Sequence, residues 1–130
     1  MADEAKCILT PTRFGRITVA DGTGIPIGTL LKYSDDFTGE ASSADNDKFA
    51  GITWVEKKAS DGLTQLTVAK DGLWDIKASG TVSTGQMVNL SGANTVNAAA
   101  SGDQEQGSLV GRASETATTS EIIAVWVVAD

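Results

Sequence analysis

The chain has 130 residues, 14 glycines, 41% hydrophobic residues and a formal net charge of −7, and it contains no histidine. This length suits one domain that buries a core without disulfides or metals. The acidic balance and scattered lysines and arginines argue against a nucleic-acid-binding surface, which is typically basic. Without histidine the chain lacks the commonest general base and metal ligand, so we expect no enzyme and no metal or other cofactor.

Residues 1–15 lack clear periodicity and predict an N-terminal arm that precedes a single β domain over residues 16–130. The start is acidic without a long apolar run, so we expect no secretory signal and no membrane span. Cys7 has no partner for an intramolecular disulfide, in keeping with synthesis in a reducing cytoplasm. A disordered tail is the alternative to the arm. Four apolar residues in the arm are candidates for contact with a partner or another subunit: Ile8, Leu9, Pro11 and Phe14.

From Arg16 onward the pattern is typical of β-strands. The segments "RITVA", "GTLLKY" and "KFAGITWVE" are short and apolar, and glycine, aspartate and serine separate them. The stretch "SDDFTGEASSADND" predicts a loop or a weak edge strand. The alanine-rich "NAAASGDQEQG" is the best helical candidate, with at most one or two turns.

The segment "LTQLTVAKDGLWDIKA" predicts a β-hairpin. A two-residue turn at Asp71-Gly72 would place apolar side chains opposite charges. A three-residue loop that includes Lys70 instead places Val68 opposite Trp74 and Leu66 opposite Ile76, with Gly72 in the left-handed position. We therefore expect the three-residue loop.

The chain closes on the apolar run "IIAVWVV", whose β-branched residues favour a strand buried on both faces. Before it, the same order of parts occurs twice. "GTLLKYS" from Gly28 and "GQMVNLS" from Gly85 lie 57 positions apart, and glycine-bearing strands follow at Gly51 and Gly111, 60 positions apart. Two pseudo-repeated β-units could pack as halves of one small β-barrel or β-sandwich.

Sequence motifs for catalysis are missing. No phosphate-binding loop and no G-x-S-x-G elbow is present. The carboxylates of Asp35, Asp36, Asp45 and Asp47 leave a hydrolase hypothesis, which requires that they line a pocket. The three tryptophans, Trp54, Trp74 and Trp126, favour core or subunit contacts, with a sugar-binding platform as the alternative.

Residues 66–128 resemble the capsid cement, or head decoration, proteins of tailed bacteriophages. The resemblance rests on "VAKDGLWDIKASGTVSTGQMVNLSG" and on the final strand "EIIAVWVV". The matching positions are Gly72-Leu73-Trp74, Ile76, Lys77-Ala78, Gly85-Gln86-Met87-Val88 and Gly111-Arg112-Ala113.

The resemblance implies an all-β protein on the outer capsid surface of the virion. Such a protein binds the major capsid protein, bridges capsomers and stabilises the expanded shell, and it assembles as a homotrimer or, alternatively, a dimer. It implies no direct contact with nucleic acid or membrane. The alternative function is a carbohydrate- or host-surface-binding β module of a phage fibre.

Overall fold

A computed structural model describes residues 4–100 and 107–128 of the protein. Every regular element in these two ranges is a β-strand, which confirms the all-β prediction. Helical turns were predicted over residues 97–107; residues 97 and 98 instead end a strand, and residues 101–106 lie outside the described residues. These ranges contain eleven strands, which are labelled β1 to β11 in chain order.

The first repeat forms a closed five-stranded barrel, here called barrel 1, with strand order β2-β4-β3-β5-β6. A parallel pairing of β2 with β4 and an antiparallel pairing of β2 with β6 close it. Its strands are β2 (Phe14–Thr18), β3 (Leu30–Asp35), β4 (Thr38–Ala41), β5 (Phe49–Thr53) and β6 (Gln65–Ala69). The segment predicted as a loop or weak edge strand thus contains β4.

The second repeat forms barrel 2, in which β7 pairs with β11 on one side and in parallel with β9 on the other. The order β7-β11-β10-β8-β9 reproduces the pairings of barrel 1 strand for strand. Its strands are β7 (Asp71–Ala78), β8 (Met87–Gly92), β9 (Thr95–Ala98), β10 (Leu109–Ala113) and β11 (Ile122–Val128).

The predicted repeat is confirmed, but each copy closes on itself, so the copies are two barrels and not halves of one. Gly28 and Gly85 precede β3 and β8, and both have positive φ, 87° and 84°. A Cβ atom at Gly51 or Gly111 would press on the carbonyl of the neighbouring strand, at Ala69 or Trp126. Both glycines are therefore required by close strand approach within each barrel.

The predicted hairpin between residues 65 and 78 is wrong. β6 pairs with β2 and β5, whereas β7 pairs with β11, β9 and β1, so neither predicted register exists. Lys70 alone separates the last strand of barrel 1 from the first of barrel 2. Barrel closure explains the error. Each strand of a closed barrel pairs along both of its edges with strands of the same barrel, so β6 has no edge left for β7. The predicted positive φ at Gly72 is present, at 104°.

The N-terminal residues add one strand to barrel 2. β1 (Lys6–Leu9) runs antiparallel to β7, with Lys6 opposite Asp75 and Leu9 opposite Leu73. Phe14 and Gly15, which the sequence placed in the arm, are the first residues of β2. The segment before barrel 1 therefore lies on barrel 2.

Two clusters of buried side chains form the core. One fills barrel 1 and consists of Ile17, Val19, Ile25, Leu31, Ala50, Leu66 and Val68. The other joins the interior of barrel 2 to residues on the outer surface of barrel 1, including Leu30, Ile52 and Ala69. Because adjacent residues on a strand point to opposite faces, Leu30 lies outside barrel 1 while Leu31 lies inside it. The two barrels thus share one apolar interface.

Candidate functional site

The predicted contact residues lie along one segment but differ in exposure. Ile8 and Leu9 on β1 and Phe14 at the start of β2 are each close to half exposed, whereas Pro11 is buried. Gly72 lies against the backbone of Leu9 and Pro11. Three of the four predicted residues are thus accessible to a partner, and Pro11 contributes to the packing of the segment on barrel 2.

Asp71 holds this segment in place. Its carboxylate accepts hydrogen bonds from the backbone N–H of Thr12 at 2.8 Å, the Thr12 hydroxyl at 2.7 Å and the backbone N–H of Arg13 at 3.0 Å. Partial burial opposes the charge, but these hydrogen bonds outweigh it and lower the pKa of Asp71. The ionised form of Asp71 is therefore the form that anchors the segment.

Phe14 belongs to a row of three aromatic rings between the barrels. Phe14 and Trp54 meet edge to face at 5.4 Å between centroids, and Trp54 meets Trp74 in the same way at 5.9 Å. Trp74 is buried, and its Nε1 donates to the carbonyl of Asp71 at 3.0 Å. Trp54 and Trp74 also line an open, largely apolar cavity of about 320 Å³ with Cys7 and Ile27. Burial raises the pKa of the Cys7 thiol, which disfavours a reactive thiolate there.

The final strand is not buried on both faces, contrary to the prediction. Ile122, Trp126 and Val128 on β11 point outward, and Trp126 is 46% exposed. Register places Trp126 beside Leu73 on β7 and Arg112 on β10, and Met87 on β8 comes next. We call Met87, Arg112, Trp126 and Leu73 the β11 face.

Sequence reasoning missed this surface because a run of seven apolar residues hides which of them alternate outward. Only the position of each strand within a closed barrel decides which side faces the core.

A second exposed apolar feature is the turn between β3 and β4. Phe37 at its tip is 79% exposed and has a φ of 49°, a left-handed conformation that is uncommon for a bulky residue. Asp35 and Asp36 precede it and are also exposed. This combination concentrates one aromatic ring and two carboxylates on a protruding turn.

Two of the four loop carboxylates, Asp35 and Asp47, make local hydrogen bonds. Asp35 Oδ1 accepts from the backbone N–H of Asp36 at 2.8 Å, and Asp47 Oδ2 accepts from those of Ser43 and Ala44 at 2.8 Å each. Asp45 is exposed. The two pairs lie on different turns, which does not support the hydrolase hypothesis. Within residues 4–100 and 107–128 no group of three or more cysteine, aspartate or glutamate side chains is arranged to hold a metal ion.

A charge cluster surrounds the buried Lys57. Its Nζ lies 2.7 Å from Asp61 Oδ1 and 3.0 Å from Asp21 Oδ1, and its side chain is fully buried. The bond from Lys57 is the main cause that lowers the pKa of Asp61 to about 2. This ion cluster ties the two loops that contain Asp21 and Asp61 to one end of barrel 1.

The structure thus defines a tandem of two small β-barrels with exposed apolar surfaces. No protein-family model and no curated protein matches the sequence. Among solved structures, the chain is similar to the head fibre gp8.5 N base of bacteriophage phi29, with a TM-score of 0.55 and 18% identity. The match covers 88% of this chain and 92% of that chain. At this identity the likeness concerns the fold, and membership of the cement family stays a prediction. Across the described parts of the chain, no helix is long and apolar enough to cross a membrane.

Proposed function

We propose that this protein is a structural, non-enzymatic protein of a tailed-bacteriophage head, acting as a decoration or cement protein on the outer capsid surface. The observation that supports it is the similarity of its two-barrel fold, over almost the whole of both chains, to the base of a phage head fibre. The sequence resemblance to cement proteins, found independently of that structure, supports the same role.

In this proposal the protein binds the major capsid protein across neighbouring capsomers and works by mass action. A ligand that binds the expanded shell but not its dissociated parts shifts the equilibrium toward the shell. Repeated contacts over a lattice, and assembly of the protein as a homotrimer, add affinity through multivalency.

The proposed capsid contacts are Ile8 and Leu9, on the segment that Asp71 anchors, and Phe14, which begins β2 directly after it. These side chains are exposed although apolar. Apolar residues held rigidly at the surface bind with little loss of conformational entropy. Pro11 contributes indirectly, since it is buried under the same segment.

The test uses expanded heads that lack the protein. Cryo-electron microscopy measures the occupancy of the wild type and of an Ile8→Ser/Leu9→Ser/Phe14→Ser variant added at equal concentration. Val55→Ser is the matched control, because Val55 is an exposed apolar residue outside the segment. We expect saturable density from the wild type and the control, and at least about tenfold weaker binding by the triple variant. Absence of wild-type density would overturn the function, and equal occupancy by the triple variant would overturn the assigned contacts.

One observation favours the alternative of a carbohydrate- or host-surface-binding module: Trp126 presents an exposed indole on a rigid strand. Sugars commonly stack on such rings. A glycan array, together with quenching of tryptophan fluorescence in the wild type but not in Trp126→Phe, would support this alternative. No response in either measurement would exclude it.

A further inference from the structure

The interface between the two barrels covers a definite surface of barrel 1. Leu30, Ile52 and Ala69 form one row across β3, β5 and β6, because Leu30 pairs with Ile52 and Ile52 with Ala69. All three are fully buried, and they belong to the cluster that includes the interior of barrel 2. Barrel 2 is therefore the element that removes this outer row from solvent.

The equivalent row of barrel 2 has no such cover within the described residues. Met87, Arg112 and Trp126 correspond to Leu30, Ile52 and Ala69, and the same pairings join them. Met87 is partly exposed, while Arg112 and Trp126 are exposed. The β11 face is thus the repeat of a surface that, in barrel 1, binds a barrel.

The part of barrel 2 that covers barrel 1 includes the turn between β8 and β9. Asn94 at this turn has a φ of 57°, and its Oδ1 accepts from the backbone N–H of Leu30 at 2.9 Å. Its own N–H donates to Ser42 Oγ at 3.2 Å. Asparagine suits both the left-handed conformation and the buried hydrogen bonds.

Phe37 is the equivalent residue of barrel 1, 57 positions earlier, and it also has positive φ. Unlike Asn94, which is buried, it is exposed. Within one chain, the Phe37 turn of barrel 1 therefore has no surface to dock on, and the β11 face of barrel 2 has no turn docked against it.

We propose that a second copy of this chain fills this surface: the Phe37 turn of one copy docks on the β11 face of the next. The proposal specifies the self-association that is part of the proposed function. It makes the contact heterologous, with different surfaces from each copy, as a ring requires when its rotation closes. Each copy would thereby continue the barrel-on-barrel packing that the chain already contains.

Charge complementarity supports this occupant. Asp35 and Asp36 directly precede Phe37, and Arg112 lies between Met87 and Trp126. In a chain with a net charge of −7, an arginine inside an apolar surface is a specific cationic partner for an acidic turn, whose carboxylates would accept hydrogen bonds from its guanidinium group.

The contact between copies is expected to be more polar than the one within the chain. Tyr33 and Lys70 close the Phe37 end of barrel 1, where Lys70 Nζ donates to the carbonyl of Ala50 at 2.9 Å. The corresponding part of barrel 2 contains Leu90, which is fully buried. Because polar groups of Tyr33 and Lys70 close this end of barrel 1, it can remain exposed to water in the free monomer. We therefore expect the association between copies to be reversible.

The experiment measures association of the purified full chain by sedimentation velocity across a concentration series. Phe37→Ser and Trp126→Ser are each expected to weaken association at least about tenfold, since central aromatic residues dominate interface energies. Arg112→Glu is expected to act in the same direction. Leu63→Ser, which alters an exposed leucine away from both surfaces, is the matched control. Circular dichroism establishes that each variant is folded.

Mixing the two defective variants distinguishes the geometry. Phe37→Ser retains an intact β11 face and Trp126→Ser retains an intact turn, so the mixture should form a heterodimer. An isologous contact through Trp126 alone would give no heterodimer and would overturn the proposal. A wild type that stays monomeric throughout, or variants that associate normally, would do the same. No heads are present, so this result is independent of the head-binding test.

Discussion

Lys57 occupies in barrel 1 the position that Ala117 occupies in barrel 2. Both residues pair through two backbone hydrogen bonds with an equivalent partner, Ile25 or Val82. The alanine fits a closed apolar end, whereas the lysine is fully buried and donates to Asp21 and Asp61. The same backbone therefore accommodates an ion cluster in one barrel and plain apolar packing in the other.

Replacing Lys57 by methionine should lower the midpoint of thermal unfolding by several degrees, because it leaves Asp21 and Asp61 without their shared cation. Lys58→Met is the control, since the neighbouring lysine is exposed. Differential scanning calorimetry measures both. Equal midpoints for the two variants would show that the cluster adds no stability.

The advantage of the wild type over Lys57→Met should depend on pH. The pKa of Asp61 is about 2 in the folded protein against an ordinary 3.8, so its contribution is complete above pH 4 and is lost toward pH 2. Burial opposes the charge on Lys57, but the hydrogen bonds that its ammonium group donates to both carboxylates raise its pKa above the ordinary 10.5, so its contribution persists below that pH. Unfolding midpoints measured from pH 2 to pH 7 should converge at the acid end. Parallel curves would contradict this.

Gly111→Ala should destabilise the fold by about 2 kcal/mol or more, because the new methyl group would overlap the carbonyl of Trp126 in the adjacent strand. Gly22→Ala serves as control, since its Cβ position is open and its φ is not positive. Urea unfolding measures both free energies. A loss no larger than that of the control would mean that β10 and β11 are less close than described.

Asp71→Ala should release the segment from Lys6 to Arg13 while both barrels stay folded. The change removes the carboxylate that accepts three hydrogen bonds from Thr12 and Arg13. Hydrogen exchange of the β1 amides should become faster, whereas the β8 and β10 amides should keep their protection. Asp71→Asn retains an acceptor oxygen and should give an intermediate rate. Unchanged β1 exchange would show that strand pairing with β7 suffices.

Trp74→Ala should cost about 3–5 kcal/mol, because the ring is buried between the barrels. Trp126→Ala should change the stability of the monomer by less than about 1 kcal/mol, since its ring lies on an exposed face. Denaturant unfolding at low protein concentration measures the two. Comparable losses would place Trp126 in the core, as the sequence had indicated.

Several features of this protein follow from local physics. The glycines that precede β3 and β8 adopt positive φ, which only glycine does at little cost, and so the repeat is visible in the sequence. Apolar character near a proline likewise identified three predicted contact residues that are accessible: Ile8, Leu9 and Phe14. Whether they contact a capsid stays a prediction.

Strand partners do not follow from local physics. The two strands at residues 65–78 have complementary faces and a turn-compatible glycine, yet closure assigns them to different barrels. The pairing energy per residue is similar in a hairpin and in a barrel. Which strands pair therefore depends on how many backbone N–H and C=O groups at strand edges find partners in the whole sheet.

By itself, the amino-acid sequence determined an all-β chain, a duplicated unit and glycines at turns and close approaches, because these depend on residues near one another. Only the tertiary structure decided that each unit closes into its own barrel, that Trp126 faces solvent and that Phe37 protrudes. Those features depend on which edge and which face the other barrel covers, and that is a property of the whole assembly of strands.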